Sequence, residues 1–77
     1  TTIEFSLPRA TEVSLVIFNL LGQNVATLAD RAPYSPGVHS LQWDGRDYSG
    51  NPTASGVYFY RLTAGDYVEQ KKMMLLK

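Results

Sequence analysis

The chain has 77 residues, enough for one small domain with a thin core. Lys and Arg together number 7, as do Asp and Glu, so the formal charge is zero and the basic footprint of a nucleic-acid or membrane-surface binder is missing. There is no cysteine, which excludes disulfides and thiolate metal or redox sites, and no apolar run approaches the roughly 18 residues that span a bilayer. No signal peptide precedes the first residues, which already read as strand. A piece of a longer protein is therefore expected.

Residues 2–7, TIEFSL, alternate, with Ile3, Phe5 and Leu7 on one face. Pro8 ends the run because it has no N–H for a ladder. Residues 12–19, EVSLVIFN, turn Val13, Leu15 and Ile17 inward and leave Val16 and Phe18 on the outer face. LLGQ at 20–23 is a turn in which Gly22 is free to take positive φ. Residues 24–30, NVATLAD, predict a third strand whose uneven apolar spacing calls for a bulge.

RAPYSPG at 31–37 has two prolines and a glycine and reads as a loop. A strand over 38–43, VHSLQW, follows, with His39, Leu41 and Trp43 sharing one parity. Residues 55–64 place Tyr58, Tyr60 and Leu62 on the core side, because Arg61 on the other side requires water. Gly65 and Asp66 make a hairpin turn, and a last strand runs from Tyr67 to about Leu76. The expectation is all-β: an immunoglobulin-like antiparallel β-sandwich of six to seven strands.

The densest stretch is WDGRDYSGNP, residues 43–52. Asp44 and Asp47, with Asn51, offer three oxygens to a weak calcium, but they are three apart and no Glu follows as in an EF-hand loop. The better account is structural. Asp and Asn side chains bind their own backbone in Asx turns, Gly45 and Gly50 permit positive φ, and Trp43 plugs one end of the sandwich.

A Ser–His–Asp site assembled from Ser40, His39 and Asp44 fails, because neighbouring strand residues point to opposite faces. His39 reads as a strand-end surface residue. No cofactor and no catalysis are expected. Tyr34, Tyr48, Phe18 and Phe59 are candidates for an exposed aromatic platform that binds sugar; otherwise they cover an undersized core.

Over essentially its whole length the chain resembles the type A C-terminal sorting domain of the type IX secretion system. The stretches that carry the likeness are TTIEFSLP, VSLVIFNLLGQNVATL, PGVHSLQWDGRD, ASGVYFYRL and AGDYVEQKKMMLLK. Its most specific pieces are Asn19 with Gly22, Trp43-Asp44-Gly45, Ser55-Gly56-Val57-Tyr58, and the terminal string Lys72-Met73, Leu75-Leu76-Lys77. The same pattern is similar to the immunoglobulin-like domain of the flagellar hook-cap protein. The terminal string ending at Lys77 favours the sorting family.

The resemblance implies a non-catalytic secretion signal fused behind a cargo domain. It would pass through the periplasm to the cell surface or beyond, with the outer-membrane translocon and a sortase-like peptidase as partners, and with neither nucleic-acid binding nor membrane insertion. Lys71, Lys72, Met73, Met74, Leu75, Leu76 and Lys77 are the candidate recognition residues, read by strand addition at an edge. Alternatively, Met73 to Leu76 complete the core and the lysines keep the edge soluble. Gly22, Trp43, Asp44, Gly45, Gly50, Gly56, Tyr58 and Gly65 are the candidate structural residues. An immunoglobulin-like assembly module, or a carbohydrate-binding accessory module of an extracellular enzyme, is the alternative function.

Overall fold

The computed structural model describes residues 1–76. Among them, six strands form two antiparallel sheets, with no helix. β1 (Thr2–Leu7) pairs with β4 (Gly37–Gln42). The second sheet has the order β3 (Asn24–Tyr34), β2 (Thr11–Phe18), β5 (Gly56–Ala64), β6 (Tyr67–Leu75). β3 and β6 are therefore its two edges.

The core follows the period-two pattern. β1 buries Ile3, Phe5 and Leu7, β2 buries Val13, Leu15 and Ile17, and β5 buries Tyr58, Tyr60, Leu62 and Ala64. Val13, Leu15 and Ile17 are sealed from solvent. Burying a side chain of this size stabilises by roughly 1.5–3 kcal/mol. Trp43, expected as the last residue of a strand over 38–43, lies one residue past the end of β4 and is buried as well.

β3 corrects the expectation most. It does not stop at Asp30 but continues through residues 31–34, read above as loop. Pro33 is tolerated because it lies opposite Glu12 on an edge strand, where a missing N–H need break no ladder. β3 has 11 residues against 8 in β2, and three register shifts absorb the difference. One shift places Val25 and Ala26, adjacent in sequence, both in the core. Another passes through Arg31, whose φ is +48° and whose N–H donates to Ser14 Oγ at 3.0 Å.

The registers sort the connections into two poles. Trp43 N–H donates to Thr1 O (2.9 Å), Phe18 lies opposite Phe59, and Leu75 lies opposite Gly56. Thr1, the 19–23 turn, the 43–55 loop and the end of β6 thus share one pole. The β1–β2 connection, residues 35–36 and the 65–66 hairpin share the other.

Candidate functional site

The 43–55 loop uses its polar groups on itself. Asp44 Oδ1 accepts from Arg46 N at 3.0 Å. Asp47 Oδ1 accepts from both Ser49 N (2.9 Å) and Asn51 N (3.0 Å), while Asp47 N donates to Asn51 O at 2.9 Å. Thr53 donates twice to Gly45 O, from its backbone N and its Oγ1, each at 2.8 Å. Arg46 Nη1 reaches Gly50 O at 2.8 Å. These are Asx turns closing a compact loop. Among the described residues no group of three or more His, Cys, Asp or Glu side chains is placed to hold a metal ion.

Besides Asp44, the candidate structural residues fall into two sets. Trp43 and Tyr58 pack edge to face in the core, with ring centroids 5.0 Å apart. Trp43 Nε1 donates to Arg46 O at 3.0 Å, and Tyr58 OH to Ala54 O at 2.7 Å, so both rings tie the loop to the sandwich. The glycines all have positive φ: Gly22 +79°, Gly45 +79°, Gly50 +80°, Gly56 +150°, Gly65 +59°. Gly65 is also crowded, since a Cβ there would lie 3.2 Å from Thr11 Oγ1.

The aromatic candidates do not form one platform. Phe18 and Phe59 are opposite each other on the outer face of the larger sheet, with the Arg61 guanidinium 4.9 Å from the Phe18 centroid. Tyr48 stands exposed at the terminal pole. Tyr34 is held against Phe5 and His39, at 5.5 and 4.9 Å between centroids. His39 is accordingly half-buried rather than a surface residue, and its Nε2 donates to Ser35 O at 2.7 Å.

The recognition candidates lie on β6, which has one free edge along its nine residues and pairs with β5 without a register shift. Its inner-face residues are Tyr67, Glu69, Lys71, Met73 and Leu75. Only Leu75 is buried, with Met73 packed partly against the core. Met74 is 60% and Leu76 79% exposed, so the apolar run only half completes the core. Lys71 and Lys72 are exposed, and Lys77 lies outside the described residues.

Sequence reasoning missed Glu69. Its carboxylate accepts from Tyr67 OH (2.5 Å) and pairs with Lys71 Nζ (3.4 Å). The tyrosine hydrogen bond, aided by the lysine charge, holds Glu69 below the ordinary carboxylate range, and the same hydrogen bond pushes the Tyr67 phenol up. The available signal was the spacing Tyr67-x-Glu69-x-Lys71, which puts the three side chains on one face of a strand.

Comparison with known families matches the FlgD Ig-like domain over residues 1–67. The chain belongs to that family. The two antiparallel sheets are those of an Ig-like domain, and the matched part takes in β1 to β5 and the first residue of β6. The remainder of β6, with Lys71, Lys72 and Met74, lies beyond it. The comparison with curated proteins finds no match.

Proposed function

We propose that this FlgD Ig-like domain is a non-catalytic C-terminal secretion signal, read by an outer-membrane type IX translocon that exports a cargo fused ahead of it. One observation carries the reading. The last strand is an unprotected edge that presents Lys71, Lys72 and Met74 to solvent, followed by exposed Leu76, instead of spending them on the core. A receptor strand added there gains backbone hydrogen bonds for affinity and alternating side chains for specificity. Such a surface exists only in the folded domain, so recognition would also report that folding is finished. Lys72, Met73 and Leu75 of the terminal string of the sorting-domain resemblance fall on this same strand. The domain would act in the periplasm, the cargo would reach the surface or medium, and a sortase-like peptidase would be the second partner.

The test is an export assay. Residues 1–77 are joined behind a periplasmic signal peptide and a fluorescent reporter in a bacterium with a type IX translocon, beside a version lacking Lys72 to Lys77. Fluorescence outside the cell only with the intact end supports the reading. Periplasmic retention of both folded proteins overturns it in favour of an assembly module of the hook-cap kind, which the family match supports. The dispersal of Tyr34, Tyr48 and the Phe18–Phe59 pair removes the support for sugar binding.

A further inference from the structure

β6 is self-complementary. Glu69 and Lys71 flank Gln70 on the inner face of the strand, with opposite charges and an open edge beside them. We propose that β6 pairs antiparallel with β6 of a second copy about a two-fold axis through Gln70, joining the two four-stranded sheets into one of eight strands.

In this register Glu69 faces the partner's Lys71, and Lys71 faces the partner's Glu69. Tyr67 faces the partner's Met73 on the same side of the sheet. On the other side, Val68 lies against the aliphatic stem of the partner's Lys72. Opposite charges directly across a strand pair are favourable and like charges are not. An interface of this kind is isologous, so each complementary contact occurs twice.

Charge also selects the register. The next register toward the C-terminus that keeps both sheets facing the same way puts Lys71 on the partner's Lys71. The next toward the N-terminus puts Glu69 on the partner's Glu69. A slip of one residue turns the strand's faces over. Only the register centred on Gln70 pairs unlike charges.

The other edges are guarded or short. β3 carries Pro33, three register shifts and the positive φ of Arg31, all of which disrupt a template for pairing. β1 and β4 have six residues each, β1 runs into Pro8, and β4 has no Lys, Arg, Asp or Glu. β6, by contrast, carries no proline and pairs with β5 without a register shift, so its nine-residue edge is regular and open to a second copy.

The proposal does not depend on the export reading, because its test contains no translocon. Sedimentation of residues 1–77 over increasing concentration is expected to show a monomer–dimer equilibrium. E69K and K71E each weaken the dimer by about tenfold, since each places two like-charge pairs across the axis, and E69K/K71E together restore it. Q70C, in a chain with no other cysteine, forms a disulfide-linked dimer on mild oxidation. V68C does not, because its partner copy is four residues away along the strand, roughly 13 Å, past the roughly 7 Å reach of a disulfide. A monomer at every concentration, a double variant no better than the single ones, or V68C cross-linking as readily as Q70C overturns the proposal.

Discussion

Trp43 and Tyr58 meet edge to face at 73°, and each donates a hydrogen bond into the 43–55 loop that separates them in sequence. The pair closes the terminal pole of the sandwich and fixes the loop to it. Aromatic pairs in this geometry contribute about 0.5–1.5 kcal/mol beyond the area they bury.

Trp43→Ala is therefore expected to destabilise the domain by about 3–5 kcal/mol, the range for deleting a large buried aromatic. In a domain of this size that is a large share of the total stability. Trp43→Phe keeps part of the packing but loses the bond to Arg46 O, and falls between. Urea unfolding followed by tyrosine fluorescence measures both; a midpoint for Trp43→Ala close to the parent would remove the plug from the account.

The loop should respond to backbone chemistry and not to metal. Asp47→Ala deprives Ser49 N and Asn51 N of their acceptor and is expected to cost about 0.5–1.5 kcal/mol. Gly50→Ala meets no atom within 4 Å, so its cost is that of left-handed backbone alone, about 1–2 kcal/mol. Gly65→Ala adds a tight contact with Thr11 and is expected to cost more than Gly50→Ala. Thermal unfolding ranks the variants, and calcium in the buffer is expected to leave every midpoint where it was.

Glu69 carries a pH signature. The Tyr67 hydrogen bond and Lys71 lower its folded-state pKa, so their contribution to stability is present above the ordinary glutamate value and is lost as pH falls through the depressed one. Both groups are at the surface, so the effect on global stability is small. An NMR titration of the Glu69 carboxyl should give a midpoint below the ordinary glutamate value. Tyr67→Phe should raise that midpoint; no movement would show that the hydrogen bond is not maintained in solution.

Recognition and stability should separate on β6. Lys72→Glu changes an exposed side chain that makes no core contact, so its unfolding free energy is expected to stay within about 0.5 kcal/mol of the parent. Export of a fused reporter is expected to fall. Leu75→Ala, which opens the core, should lose stability and export together. Full export by Lys72→Glu would shift recognition away from that lysine.

Local chemistry made much of the domain legible. Ile3, Phe5 and Leu7 alternate because a strand has a period of two, and they are buried as that period requires. The Asx turns of Asp44 and Asp47 follow from side chains that reach only two to four residues along their own backbone. Strand order is different, because it is set by contacts between residues far apart in the chain. Pro33 reads as a loop residue until β3 is known to be an edge, where its missing N–H costs no ladder bond. Met73 and Met74 read together as core, but neighbours in a strand face opposite ways, so Met73 packs partly against the core and Met74 is exposed on the outer face of the sheet. Local patterning located the six strands, the turns and most of the buried side chains, although it cut β3 short at Asp30. Which strand was left unpaired, and so which side chains are free to meet a partner, was decided only when the sheets assembled.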